Sequence, residues 1–206
     1  VKATYDAVSP GDDIDDSLGH GTQMTLIASG AVNPLNADTD AGAGSPVVAI
    51  RAFDDNGFTS TYTLIHSIDF AAANGARVLS MSWGSDSSSH LLDSAMEYAA
   101  SKGLILIAAA GNEPTGDPVF PAAYDNVIGV GALAADGKPW EQSNYGDFVS
   151  VSAPGVADLP VGYQGAPGTY AGTSIASAYT ARRVAAILEQ APGADRDMII
   201  KALLKK

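Results

Sequence analysis

Residues 104–109 read Leu-Ile-Leu-Ile-Ala-Ala, six apolar side chains in a row. A strand with one wet face alternates apolar and polar residues. A run with no polar side has both faces covered, as in a parallel sheet packed between helices. Parallel neighbours cannot be joined by a tight turn and need a crossover, usually a helix. The flanking sequence supplies such crossovers. Residues 46–53 (PVVAIRAF), 78–81 and 127–130 predict further strands. Between them, Leu64, Ile65, Ile68, Ala71 and Ala72 share one face of a helix over residues 62–74, and Gly75 stops it. Leu92, Ala95, Met96 and Ala99 mark a second helix over residues 91–102. The expectation is an α/β fold of three layers, a parallel sheet flanked by helices. After Gly131 come Gly-, Pro- and Ser-rich segments, a strand at residues 148–151, a long helix from Thr173 or Ser174 to Gln190, and a short one over residues 196–204. With 206 residues, no repeat and no linker, the chain reads as a single domain.

Composition narrows the function. Eleven basic residues stand against 23 acidic ones, a formal charge of −12. That balance argues against nucleic acid and against anionic membrane surfaces, which both need a basic stripe. There is no cysteine, so disulfides, thiol catalysis and thiolate metal sites are excluded. No apolar run reaches the roughly 18 residues of a membrane span, and no signal peptide is visible.

Three short motifs carry chemistry. Gly19-His20-Gly21-Thr22 opens an apolar helical stretch, where a neutral imidazole can act as a general base. The plainer reading is a structural histidine. Asn112, in Ala110-Gly111-Asn112-Glu113, follows the apolar strand, at the end where parallel sheets bind ligands. Its amide can donate to an oxygen that becomes negative, although an Asn after Gly is also a common turn. Ser174, in Gly172-Thr173-Ser174-Ile175, opens the long helix, where free N–H groups and the positive end of the helix dipole favour an oxyanion. The plainer reading there is an N-cap.

Taken together and in this order, GHGT, SMSWG, AAAGNE and YAGTSIAS resemble the subtilisin-like serine proteases, or subtilases. FPAAY, SNYG and SAPG extend the similarity over the chain. The resemblance implies a serine endopeptidase that works through an acyl-enzyme, with Ser174 as nucleophile, His20 as its base, and Asn112 with the Ser174 N–H as oxyanion hole. It implies that Ser82, Trp83 and Gly84 pair with an extended peptide or protein substrate. Ala109, Ala110 and Gly111 would wall the specificity pocket, with Glu113 at its rim. No cofactor is required. Structural calcium, bound in this family through loops such as residues 33–44, would find oxygen ligands in Asn36, Asp38 and Asp40; the other reading is a solvated loop. Most family members are secreted, so a secreted or cell-envelope location is implied.

The family's third catalytic residue is an aspartate at the end of a strand, in a motif like Asp-Ser/Thr-Gly well before the histidine. Only 19 residues precede His20, and none forms that motif. Asp6 follows a strand-like Val1-Lys2-Ala3-Thr4-Tyr5, but Ala7-Val8 comes next. The preferred alignment sets residues 1–8 against a later family segment. It makes residues 1–206 a catalytic domain without its N-terminal, aspartate-bearing strand. That strand would come from an N-terminal fragment or pro-segment chain, and Asp12, Asp13, Asp15 and Asp16 would be rim or solvated residues. Asp6 as the acid is the other alignment. A catalytically impaired subtilase-fold module that binds peptides or acts as a scaffold is the alternative function, motivated by the missing acid and by Arg182 standing where the family has glycine.

Overall fold

A computed structural model describes residues 1–38, 42 and 44–205. The strands are β1 (Ala3–Asp6), β2 (Val48–Arg51), β3 (Val78–Met81), β4 (Ile105–Ala109), β5 (Val127–Leu133), β6 (Val149–Pro154), β7 (Val156–Leu159) and β8 (Gly168–Ala171). The helices are α1 (His20–Ala28), α2 (Thr61–Ala73), α3 (His90–Ser101), α4 (Thr173–Gln190) and α5 (Arg196–Leu203). The expected strands and helices are present within a few residues of their ends. Gly75 stops α2 as the sequence predicts, at φ 78°, a left-handed conformation that costs glycine little.

β3, β4, β5 and β6 form a parallel sheet in that order, and β1 pairs in parallel with β2 in a separate one. β7 and β8 make an antiparallel ribbon. The apolar strands serve both faces. Ile107 of β4 and Ile128, Val130 and Ala132 of β5 pack in a core with Ile27 of α1, Tyr179 and Val184 of α4 and Ile199 of α5. Leu106 and Ala108 of β4 and Val127 of β5 join the opposite core, with Leu64 and Ile68 of α2 and Met96 and Ala99 of α3. This is the three-layer arrangement, and each fully buried aliphatic side chain in it contributes on the order of 1.5–3 kcal/mol.

The parallel layer is interrupted. Among the described residues β2 and β3 have no strand between them. A channel of about 1390 Å³ opens there, lined by Val48 and Ile50 on one side and Val78, Leu79 and Met81 on the other. Strand edges bordering such a space present unpaired N–H and C=O groups, which is unfavourable until something pairs with them.

Asp6 ends β1 and is 4% exposed. Its carboxylate accepts the Val8 and Ser9 N–H groups at 2.9 and 2.8 Å and pairs with Arg51 at 3.0 Å. Burial opposes ionisation, but the Ser9 N–H, the Arg51 guanidinium and the Val8 N–H outweigh it and hold the carboxyl below its ordinary value. Asp6 therefore ties β1 to β2 and turns the chain. A carboxyl whose folded pKa is depressed stabilises fully above the unfolded value of about 4, and that contribution fades as pH falls through the folded value. Asp6→Ala should cost about 3 kcal/mol at pH 7. In urea unfolding of the full-length protein, the gap to wild type should close once the pH lies below both values.

Candidate active site

α1 and α4 differ from the other helices at their first turns. Ser60, Ser89 and Asp195 cap α2, α3 and α5 with their own side chains. α1 and α4 have glycine N-caps, Gly19 and Gly172, with no side-chain cap. These two helices carry His20 and Ser174. The capping role expected for a serine here is thus not the one Ser174 plays: it sits one residue inside the helix, its N–H without an intrahelical partner.

The end of β4 meets the start of α4 through Asn112. Its Oδ1 accepts the Thr173 N–H at 2.9 Å and the Thr173 hydroxyl at 2.8 Å. The Thr173 hydroxyl also accepts the Gly111 N–H at 3.2 Å. With its carbonyl side committed, Asn112 has its Nδ2 donors free among the described residues. Gly172 lies beside this amide: a Cβ placed on it would lie 3.6 Å from Asn112 Nδ2, 3.8 Å from Asn112 Oδ1 and 3.9 Å from the Ser174 N. The Asn112 Nδ2 and the Ser174 N thus both lie close to Gly172, at ordinary contact distance from the position a side chain there would take. The turn behind it is fixed by the buried Asn144 of the SNYG segment. Its Oδ1 accepts the Glu113 N–H at 2.8 Å, and its N–H donates to the Gly111 carbonyl at 3.0 Å.

His20 lies on the same cleft as Ser174 and Asn112, continuous with the channel between β2 and β3. Gly19 sets it there with φ 80°, and any side chain on Gly19 would strike the Gly162 carbonyl oxygen. The segment around Gly162 is tied down by the buried Gln23, which donates to the Val161 carbonyl at 2.9 Å, and by the Gln164 N–H donating to Leu18 O at 3.0 Å. These contacts bring the Tyr163 ring edge-on to the His20 ring, centroids 5.7 Å apart. Burial pushes the His20 pKa below its ordinary value of 6.5, and the negative charge of Asp16 opposes that shift without cancelling it. The imidazole is therefore neutral at neutral pH, the form a base requires.

Asp16 has another duty, since its Oδ2 accepts both the N–H and the hydroxyl of Thr22 at 2.6 Å and so closes the first turn of α1. Among the described residues no carboxylate hydrogen-bonds to His20, and no hydrogen bond joins His20 to Ser174. Asp6, held by Arg51, is committed elsewhere.

Ser82, Trp83 and Gly84 border the cleft at the end of β3, and the Ser82 hydroxyl donates to the Ser174 carbonyl at 3.4 Å. Ala109 and Ala110 do not border it: they are buried, 5% and 0% exposed, beneath the Asn112 turn. Gly111 is half-buried against Asn144, and Glu113 is exposed. Thr173, Asn144, Tyr163 and the empty space at Gly172 are features that the motifs alone do not announce. Thr173 and Asn144 do lie inside quoted motifs, GTS and SNYG, and that was the available signal.

In the loop of residues 33–44, the described candidate ligands have other partners or face solvent. Asp38 is paired with Arg183 at 3.3 Å, the Asn33 Oδ1 accepts from Arg182, and Asn36 is an exposed residue at φ 60°. Asp40 lies outside the described residues. No group of three or more His, Cys, Asp or Glu is placed to hold a metal among the described residues.

The surroundings of His20 set two opposite shifts. Tyr163→Ala removes apolar cover and should raise its pKa toward 6.5, whereas Asp16→Asn removes an attractive charge and should lower it further. The imidazole C–H resonances followed by NMR across pH 4–9 would read both.

Comparison with known proteins identifies the family. The model of the subtilase family matches residues 1–206. The chain is 36% identical over 187 residues to a thermophilic serine proteinase of Bacillus sp. strain AK1, covering 90% of this chain and 46% of that protein. It is 32% identical over 207 residues to the minor extracellular protease Epr of Bacillus subtilis strain 168, covering 100% and 32%. The chain thus spans half or less of the length of these two relatives. Among solved structures, a cold-adapted subtilisin-like serine proteinase superposes with a TM-score of 0.77 at 26% identity, over 97% of this chain and 72% of that one. Sphericase does so with a TM-score of 0.69, also at 26% identity, over 96% and 73%. With its family match running from end to end and its fold shared with subtilisin-like proteinases, the chain belongs to the subtilase family.

Proposed function

We propose that the chain carries the nucleophile, base and oxyanion hole of a secreted serine endopeptidase. The Ser174 hydroxyl attacks the peptide carbonyl carbon while His20 takes its proton. His20 then gives that proton to the departing amine, leaving an ester on Ser174 that water hydrolyses. The developing oxyanion sits in the space above Gly172, between Asn112 Nδ2 and the Ser174 N–H. Extended substrate pairs with Ser82, Trp83 and Gly84 as an added strand. The observation that carries this reading is the closeness of two donor nitrogens, Asn112 Nδ2 and the Ser174 N, to Gly172 at a helix start tied down by Asn112 rather than by its own N-cap. The location rests on the extracellular relative.

The acid that orients His20 is assigned to a strand entering the channel between β2 and β3, brought by an N-terminal fragment or a pro-segment chain. The channel and the catalytic cleft are one continuous space, which supports that assignment. A second reading, a peptide-binding module with impaired catalysis, is favoured by the absence of any carboxylate bonded to His20 among the described residues. Loss of such an acid costs on the order of 10⁴ in turnover, as known for serine proteases with this triad.

The full-length protein decides between them. A fluorophosphonate probe should label it, and Ser174→Ala should abolish labelling; peptide binding without labelling or turnover would favour the impaired module. Asn112→Ala should lower kcat about 10²–10³-fold with little change in KM, the size known for loss of one such donor in subtilisin. Gly172→Ala should act in the same direction by filling the oxyanion space with a methyl group. The rate should rise with pH along a limb whose midpoint lies below 6.5 unless the added acid raises it.

A further inference from the structure

Arg182, on α4, is 8% exposed. A buried guanidinium needs acceptors for its donors and company for its charge. The acceptors come from one loop, residues 33–44, which connects α1 to β2, and they are neutral oxygens. Nη1 donates to Asn33 Oδ1 at 2.6 Å, and Nη2 donates to the Gly42 carbonyl. Nε is buried with no partner. Room for the group is made at Gly30, where an added Cβ would lie 2.9 Å from the guanidinium carbon.

Two neighbours on α4 grip the same loop. Arg183 pairs with Asp38 at 3.3 Å, and the hydroxyl of the fully buried Tyr179 accepts the Asp38 N–H at 2.8 Å. Positions 179, 182 and 183 fall on one helix face, three and four residues apart.

The loop is the one that the family resemblance marks for structural calcium, and the chemistry here differs. A calcium ion takes six to eight oxygens at about 2.3–2.6 Å. The Asn33 side-chain oxygen and the Gly42 carbonyl are already bonded to Arg182, and Asp38 is bonded to Arg183. A divalent cation beside the Asn33 oxygen would also face a fixed positive charge. We infer that Arg182 serves as a built-in cation: its guanidinium latches Asn33 and Gly42 onto α4 where a metal ion would otherwise gather oxygens, and this attachment is independent of calcium.

The test uses the full-length protein with Ser174→Ala, which stops self-digestion, exposed to an external protease, with cuts mapped by mass spectrometry. Cleavage tracks the population of the open loop when opening is fast. Chelation with EDTA should leave the rate of cutting within residues 33–44 unchanged. Arg182→Gly should raise that rate about tenfold or more, as expected for loss of two hydrogen bonds to a charged group, and millimolar calcium should not restore it. If Arg182→Gly does not fold, Asn33→Ala removes one acceptor and should raise cutting at the same loop by a smaller factor, again without rescue by calcium. An EDTA-induced rise in loop cutting reversed by calcium would overturn the inference. So would an unchanged rate in Asn33→Ala or in folded Arg182→Gly.

Discussion

The bond from Thr173 to Asn112 is the hinge pin of this molecule. The first turn of a helix has N–H groups with no partner of their own. In α4 one of them, together with the Thr173 hydroxyl, goes to the Asn112 side-chain oxygen. That single side chain therefore joins the end of the central apolar strand to the start of the most buried helix. It also turns the Asn112 amide so that its N–H groups face the space beside Ser174. A conventional N-cap at 172 would satisfy the same helix but would fill that space. Using an asparagine from another element leaves the helix start both anchored and open, which is what an anion-binding position needs.

The open channel is the other constraint. A parallel sheet gains its stability from strands covered on both faces and paired on both edges. Here β1 and β2 are held to each other by their ladder and by the Asp6–Arg51 pair, while β3 joins the main sheet. The apolar residues that line the gap, Val48, Ile50, Val78 and Leu79 among them, have the character of sheet interior rather than of surface. The gap also opens directly onto His20. A strand that paired with these edges would act on fold stability and on His20 together, so under the proposed function assembly of the sheet and assembly of the site would be coupled.

Much of this was legible in the sequence because the signals are local. A continuous apolar run such as residues 104–109 specifies a two-faced strand, the 3.6-residue periodicity in α2 and α3 specifies their buried sides, and His20, Asn112 and Ser174 stand in short motifs at element ends. What was not legible depends on pairing between distant segments. Asp6 looks like a catalytic acid after a strand until Arg51, 45 residues away, is seen to hold it. Arg182 looks like an awkward replacement for glycine until Asn33 and Gly42 are found around it. Ala109 and Ala110 share a motif with Asn112, but strand alternation and the turn after them put their side chains in the interior.

The arginines show a common logic. All five make contacts within the chain: Arg51 with Asp6, Arg77 with the Pro192 carbonyl, Arg182 with Asn33, Arg183 with Asp38, and Arg196 with the Val127 carbonyl. Four of these ties are 45, 115, 149 and 69 residues long in sequence. A planar guanidinium with five donors can meet two acceptors at once, so it joins segments that a lysine would hold at only one point. In a chain with no cysteine, such ties do part of the work that cross-links do elsewhere. The net charge of −12 is a separate matter: it counts these arginines among 11 basic residues against 23 acidic ones. That excess of carboxylates makes the surface a poor one for phosphates, and with five of the 11 cations also engaged in ties within the chain, no basic stripe is assembled from them.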